Sequence, residues 1–237
     1  TGHQVITLEL PGMGINGDGK AKLTVGGNIE DLRILLAEQD VDGPIHVVGL
    51  SLGGMIGLEW LKRHPEQILT CTSINSSGMS YLFPFTGRVN FWSWFVLGIR
   101  IPLYQLRNRT YGLPMGFVYP YLVDGTSEER KAELLEKWKE LDKEHAAPNG
   151  ASFRQIFSVL FWTPRGDLCK PLDQGGLGSR VLIINGTKDR FVPKRSSMRL
   201  HRWLKGSKLV CFPGGHELLM SHGEDSVKSI SQHISNH

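Results

Sequence analysis

The sequence is poor in cysteine, and its three cysteines, Cys71, Cys169 and Cys211, lie far apart in the chain. Their spacing does not match a metal site, and their odd number does not suit a closed disulfide framework. The pattern therefore favours free buried thiols in a reducing compartment. We predict a cytoplasmic protein that needs no metal ion and no cofactor. Internal repeats and low-complexity segments are also absent, which excludes repeat architectures.

Long apolar runs are absent as well. The nearest candidate for a membrane span, residues 94–104, is interrupted by Arg100, so we expect no membrane span. No signal-peptide pattern is visible. The first residue is Thr1 rather than Met, from which we expect that residues upstream were trimmed. The net charge is only +4 and comes with 23 acidic residues, so a nucleic-acid partner is not implied.

The most informative stretch is an apolar, β-branched run that leads into the G-x-S-x-G pattern of residues 49–53. The pattern predicts a short buried strand, a tight turn and then a helix over residues 52–61 packed on a sheet. Such a turn strains its central residue, Ser51, and exposes that side chain at the top of the sheet. We expect Gly49 and Gly53 to let the strand and the helix approach closely. The alternative is a glycine-rich turn with an idle serine.

Further strand and helix patterns flank a region of different composition. We predict strands over residues 4–10, 68–74, 180–185 and 208–212, and helices over residues 28–39 (capped by Asn28), 196–204 and 226–234. Strands that alternate with helices predict an α/β fold, with a mostly parallel sheet covered by helices on both faces. In such sheets functional residues gather at the carboxyl ends of the strands.

The region in between carries no strand–helix alternation. Aromatic residues crowd its first half, a charged helix is predicted over residues 127–145, and a more apolar helix over residues 151–162. With 40% hydrophobic residues in 237, the chain can form one sizeable core with an inserted subdomain. We therefore predict a core made of residues 1–77 and 173–237, with a helical cap over residues 78–172.

Three residues of matched chemistry fall at predicted strand ends: Ser51, Asp189 and His216. A serine hydroxyl is a poor nucleophile unless an imidazole takes its proton, and a buried carboxylate can orient that imidazole. The order Ser, Asp, His along the chain is one of the known arrangements. Asp189 alone could instead form a turn, and His216 could be a surface residue. His222 is the one plausible alternative to His216.

Together these motifs resemble the capped α/β-hydrolases. Residues 8–14 resemble the end of the family's fourth strand, although Glu9 stands where the family more often carries Asp. Residues 49–57 are similar to the nucleophile elbow, residues 186–193 to the acid loop and residues 214–217 to the histidine loop. The matches cover the core on both sides of the insertion, whereas the cap itself resembles nothing informative.

The resemblance implies a serine hydrolase that cleaves a carboxylic ester through an acyl-enzyme on Ser51. His216 would move the proton, Asp189 would hold His216, and the Leu52 N–H would stabilise the oxyanion. The family's second oxyanion donor follows its third strand, which has no counterpart here, so we expect its N-terminal strands to be missing from this chain. A serine nucleophile argues against the dehalogenase and epoxide hydrolase branches. Hydrolysis of amides, thioesters or carbon–carbon bonds stays open, as does a non-catalytic ligand-binding role.

We predict a small hydrophobic ester as substrate, because aromatic side chains of the cap and the residues after the acid could line a pocket. The predicted pocket residues are Phe85, Trp92, Trp94, Phe191 and Val192. The cap also carries the basic residues Arg88, Arg100, Arg107 and Arg109. They are either solvated charges or a docking surface for an acidic carrier protein.

Overall fold

A computed structural model describes residues 2–12, 20, 22–76, 99–108, 122–144, 154–155, 158–159, 162 and 169–237. In this part of the chain four parallel strands form one sheet in the order β1-β2-β3-β4. They are β1 (Ile45–Leu50), β2 (Ile68–Ile74), β3 (Val181–Gly186) and β4 (Lys208–Phe212). The bounds of β2 and β4 match the sequence prediction residue for residue.

The helices, in chain order, are α1 (Gly27–Ala37), α2 (Leu52–Arg63), α3 (Ile101–Asn108), α4 (Glu128–Glu144), α5 (Cys169–Gln174), α6 (Lys194–Trp203) and α7 (Leu218–Ile234). A short 3-10 helix, Leu177–Arg180, precedes β3. Between β2 and β3 the described residues form helices and no strand. No described helix combines the length and the apolar character needed to cross a membrane.

Helices cover both faces of the sheet. Successive side chains of a strand point to opposite faces, so apolar residues on either face need a helix to pack against. Along β3, Val181 and Ile183 pack with α1, α2 and α6, whereas Leu182 and Ile184 pack with Leu218 of α7. All six residues of β3 are buried. This arrangement confirms the predicted parallel sheet with helices on both sides.

The strand register brings the carboxyl ends of the four strands together. Leu50 of β1 lies opposite Ile74 of β2, Ile74 opposite Ile184 of β3, and Ile184 opposite Val210 of β4. Consequently the residues that follow these positions gather at one edge of the sheet, which we call the carboxyl edge. The opposite side, where the four strands begin, is the amino edge.

The prediction of a strand over residues 4–10 is wrong, because the structure assigns no strand there. The segment pairs with no described strand, and Val5 is 86% exposed. Leu8 and Leu10 nevertheless pack against the core. A strand needs a neighbour to hydrogen-bond with, and the apolar pattern that led to the prediction does not say whether one is there.

Two predicted helix starts also need correction. Asn28 does not cap α1 but lies within its first turn, where its Nδ2 donates to the Thr24 carbonyl at 3.1 Å. Thr24 Oγ1 instead accepts the Gly27 N–H at 3.1 Å. Helix α7 begins at Leu218 rather than at residue 226, and its early part is kinked at His222 (φ −137°, ψ 41°).

Helix α4 lies within its predicted range, residues 127–145. Ser127 caps it by accepting the Arg130 N–H at 3.3 Å. Leu134, Leu135 and Trp138 form its apolar stripe, which packs on Val123. The aromatic first half of the insertion and the helix predicted over residues 151–162 lie largely outside the described residues, so the proposed cap boundaries stay a prediction.

Candidate active site

Ser51 lies in a strained turn between β1 and α2, with φ +52° and ψ −114°. A positive φ is uncommon for any residue other than glycine. Hydrogen bonds hold it in place: the Ser51 N–H donates to the Ile74 carbonyl at 2.8 Å, and the Ser51 carbonyl accepts the Gly54 N–H at 3.1 Å and the Ser76 hydroxyl. The turn therefore has the strained geometry that the G-x-S-x-G pattern predicts.

Of the two glycines that flank the turn, Gly49 is the one that close packing among the described residues requires. A Cβ atom at Gly49 would lie 2.2 Å from the carbonyl carbon of Gly53, so a side chain there would push the strand away from the helix. A Cβ atom at Gly53 would meet no described residue within 4 Å. Within the described part of the chain, the strand and the helix therefore do not need the missing side chain of Gly53 in order to pack closely, contrary to our expectation.

Asp189 and His216 form a buried pair, with His216 Nδ1 2.8 Å from Asp189 Oδ2. The two residues are 5% and 8% exposed. The other carboxylate oxygen of Asp189 accepts the N–H groups of Phe191 at 2.7 Å and Val192 at 2.8 Å. The Phe191 ring meets the imidazole edge-on, with centroids 5.3 Å apart. These contacts fix both the carboxylate and the ring plane.

The charges around His216 favour its protonated form. Burial works against that form, but the charge of Asp189, its hydrogen bond and the charge of Glu217 outweigh burial and raise the pKa of His216. The same burial raises the pKa of Glu217, and the nearby Asp189 adds to that shift although His216 opposes it. The imidazole can therefore take up a proton and be stabilised while it carries one.

Ser51 and His216 both lie at the carboxyl edge, but among the described residues they form no hydrogen bond with each other. Such contacts are often loose in structures without substrate. Leu52 is the first residue of α2, so its N–H has no acceptor within the helix. That N–H is the group predicted to stabilise an oxyanion.

The other predicted site residues are placed as follows. His222 stacks on Phe212 with ring centroids 5.9 Å apart, and its Nδ1 lies 3.0 Å from Ser221 Oγ. It is therefore His216 and not His222 that pairs with Asp189. Phe191 and Val192 are buried in the core beside His216, whereas Phe85, Trp92 and Trp94 lie outside the described residues.

Comparison with known proteins decides the family. A family model described as the alpha/beta hydrolase fold matches residues 1–223, which is most of the chain. The chain belongs to the alpha/beta hydrolase family. Curated relatives of this alpha/beta hydrolase include a 2-hydroxymuconate semialdehyde hydrolase from Pseudomonas putida, 25% identical over 79% of the chain. A pimeloyl-[acyl-carrier protein] methyl ester esterase from Neisseria meningitidis is also 25% identical, over 93% of the chain.

The chain spans 61% of the length of the first relative and 78% of the second. Among solved structures, the enol-lactonase from Burkholderia xenovorans superposes with a TM-score of 0.72 at 15% identity, covering 96% of this chain and 79% of its own. An esterase from Thermogutta terrifontis gives 0.72 at 16%, covering 96% and 78%. At this level of identity the two structures establish the fold alone.

Sequence reasoning missed three residues of this alpha/beta hydrolase that contact the site: Asn75, Ser76 and Glu217. Asn75 and Ser76 follow β2 directly and are buried. Their polar side chains after an apolar strand, at the edge where the other site residues lie, were the available signal. Glu217 follows His216 in the chain, and its charge contributes to the raised pKa of His216. Its residue type alone does not predict that effect.

The described residues line two cavities of note, one next to the site and one remote from it. One, of about 690 Å³, has a polar lining that includes Asp124, Lys188 and Arg190, and it adjoins the acid loop. The other, of about 510 Å³, is a more apolar groove near Ile34, Ile45 and Trp60, away from Ser51. No set of three or more histidine, cysteine or acidic side chains in the described ranges is placed to hold a metal ion.

Proposed function

We propose that this chain is a serine hydrolase that cleaves a carboxylic ester through an acyl-enzyme on Ser51. The observation that carries the proposal is the Asp189–His216 pair, 2.8 Å apart and buried at the edge where Ser51 stands in its strained turn. The pair supplies an oriented base, and the turn supplies a half-buried serine hydroxyl at a helix N-terminus.

In the proposed reaction His216 takes the proton of the Ser51 hydroxyl as its oxygen attacks the ester carbonyl. The tetrahedral intermediate carries a negative oxygen, to which the Leu52 N–H donates. Collapse of the intermediate breaks the ester bond, and His216 gives its proton to the departing alkoxide. A water molecule then attacks the acyl-enzyme in the same way and releases the carboxylic acid and the Ser51 hydroxyl.

The curated relatives support an ester substrate, because one of them is a methyl ester esterase whose substrate is attached to an acyl-carrier protein. The 2-hydroxymuconate semialdehyde hydrolase supports a second candidate, hydrolysis of a different bond by the same three residues. We further propose that residues 78–172 form a cap whose Phe85, Trp92 and Trp94 select the acyl chain, together with Phe191 and Val192.

The test is a panel of p-nitrophenyl esters with acyl chains from two to sixteen carbons, combined with a fluorophosphonate that labels activated serines. We expect turnover of at least one ester and a single labelled peptide that contains Ser51. Labelling of Ser51 without ester turnover would redirect the proposal to thioester, amide or carbon–carbon bonds. Neither labelling nor turnover would leave a non-catalytic ligand-binding protein. A methyl ester carried on an acyl-carrier protein, with the carrier-bound product followed by mass spectrometry, tests the acidic-partner alternative.

A further inference from the structure

The segment from Ile74, the last residue of β2, to Ser76 contacts all three proposed catalytic residues or their loops. The Ile74 carbonyl accepts the Ser51 N–H at 2.8 Å, and the Ser76 hydroxyl donates to the Ser51 carbonyl. Asn75 lies between them and faces the opposite way along the sheet, towards β3 and the histidine loop. Consecutive residues of one short segment therefore bond the serine turn on one side and the acid and histidine loops on the other.

The Asn75 side chain uses its full hydrogen-bonding capacity. Its Nδ2 donates to the carbonyls of Gly215 at 2.9 Å and His216 at 2.6 Å, and its Oδ1 accepts the Gly186 N–H at 2.6 Å and Asn185 Nδ2 at 3.2 Å. An amide has two N–H donors and two acceptor sites on its oxygen. The partners also fix its orientation, because the reversed amide would set oxygen against two carbonyls.

Two of these partners anchor the loops of the buried pair. The Gly186 carbonyl accepts the Asp189 N–H at 3.1 Å, so Gly186 is the base of the turn that presents the acid. The His216 carbonyl belongs to the base itself. The Asn75 side chain therefore bridges the start of the acid loop, at the Gly186 N–H, and the backbone carbonyl of His216.

The site of this amide is an unfavourable one for ordinary packing. Asn75 is fully buried and has φ +45°. A buried amide is expensive unless every group is paired, and a left-handed backbone conformation persists only where the surroundings enforce it. An apolar residue would bring no polar side chain to pair, but it would tolerate the positive φ less well than Asn and would leave the Gly186 N–H without its Asn75 acceptor. Such features gather where geometry matters for function.

We propose that Asn75 is a positioning residue that holds His216 against Asp189 and in register with Ser51. The inference rests on the proposed serine hydrolase function and adds to it a residue that touches neither substrate nor the reacting atoms. A loss of register of about 1 Å can lower a rate by about 10²-fold, so the effect should be visible in turnover rather than in substrate affinity.

The test variant is Asn75→Gly, because glycine tolerates the positive φ and the substitution removes the amide together with its one methylene. Thr72→Val is the matched control, since Thr72 is buried in β2, the strand that Asn75 follows, and its hydroxyl has no partner among the described residues. We expect kcat of Asn75→Gly to fall about 10²-fold with KM within about two-fold of wild type. The acidic limb of the kcat/KM profile should move to lower pH, because the Asp189 contact raises the pKa of His216. Thr72→Val should match wild type in all three quantities.

A second readout does not depend on turnover. The Nδ1–H proton of His216, observed by NMR with labelled histidine, reports the bond to Asp189 directly. We expect its resonance to move upfield or vanish in Asn75→Gly and also in Asn75→Asp, which keeps the acceptor for Gly186 but cannot donate to the two carbonyls. Asn75→Asp also serves if the glycine variant does not fold.

The outcomes separate the two proposals. A variant with a lower melting temperature but with the kcat, pH profile and His216 resonance of wild type would overturn the inference. Asn75 would then have a structural role only. If the wild-type protein hydrolyses no ester, the proposed function fails. The His216 resonance then still decides whether Asn75 holds the pair.

Discussion

Histidines lie at both edges of the sheet, buried at His216 and His233 and half-buried at His46, and the two edges shift the histidine pKa in opposite directions. At the carboxyl edge, burial of His216 is outweighed by Asp189, and the pKa of the imidazole is raised. At the amino edge, burial lowers the pKa of both His46 and His233, and the neighbouring His237 adds to each shift. His46 Nδ1 lies 2.8 Å from Thr70 Oγ1, and His233 Nε2 donates to the Arg180 carbonyl at 3.1 Å.

The difference lies in the partner rather than in burial. A carboxylate stabilises a charged imidazole, whereas a hydroxyl or a carbonyl pairs well with a neutral one. The carboxyl edge can therefore use its histidine to move protons, whereas at the amino edge the lowered pKa values of His46 and His233 favour the neutral imidazole as a hydrogen-bonding group. Substitutions at the first edge should change turnover, and those at the second should change only stability.

The largest expected effect is that of Ser51→Ala, which removes the proposed nucleophile. We expect kcat for the best p-nitrophenyl ester to fall by about 10⁶-fold, as when a triad serine is removed, with an unchanged melting temperature. The control is Ser197→Ala, since Ser197 is buried in α6 and its hydroxyl has no partner among the described residues. Retention of more than a trace of activity in Ser51→Ala would remove Ser51 from its role.

The next effects concern the base and the acid at the same edge. His216→Ala should be about as damaging as Ser51→Ala, because triad members act as a unit. Asp189→Asn should lower kcat by about 10⁴-fold, since an amide cannot stabilise the charged imidazole. His222→Ala, measured with the same ester, should behave like wild type. If His222→Ala were instead the damaging change, the base would be misassigned.

The sequence predicts much of the carboxyl edge because that edge depends on short local patterns. The residue types alone indicate a serine between a strand and a helix, and an acid and a histidine that each follow a strand. They also indicate the glycine at which a Cβ atom would lie 2.2 Å from the backbone of the helix. The sequence does not predict the hydrogen bonds of Asn75 at this edge, because they go to carbonyls more than a hundred positions away in the chain. Its residue type alone is typical of an ordinary turn.

Elsewhere the errors have the same origin. The apolar alternation of residues 4–10 is compatible with a strand, but pairing is a property of the neighbour and not of the segment. Asn28 is a good capping residue by type, yet Thr24 accepts the first N–H because the chain turns earlier. Helix α7 extends back to Leu218 through a kink at His222, which apolar periodicity could not anticipate.

A smaller effect is expected at the amino edge in acid. Folding lowers the pKa of His233 below its ordinary value of 6.5, so the unfolded chain binds more protons once the pH falls below that value. The stability present above pH 6.5 is therefore lost as the pH falls through the folded value, by at most about 1.4 kcal/mol per pH unit for one proton. His233→Gln, which can still donate to the Arg180 carbonyl, should flatten this slope in urea denaturation between pH 7.5 and 5.

His216 should show the opposite sign in the same experiment. Its folded pKa is raised, so its contribution is fully present below pH 6.5 and is lost as the pH rises through the folded value. Substitution by Asn should therefore steepen the acid decline that His233→Gln flattens. Equal slopes in the two variants would contradict the assignment of opposite proton roles to the two edges.

The smallest expected effect tests whether the amino edge contributes to stability alone. Thr70→Val keeps the shape of a buried β2 side chain but removes the hydroxyl that pairs with His46. Loss of one such bond costs about 0.5–1.5 kcal/mol of unfolding free energy, measured by urea denaturation at pH 7.5. Thr72→Val is the control two residues along the same face, where the hydroxyl has no partner among the described residues, so it should cost nothing. Because neither residue reaches the carboxyl edge, kcat/KM should stay within about two-fold of wild type in both variants, and a larger drop in Thr70→Val would show that the two edges are coupled.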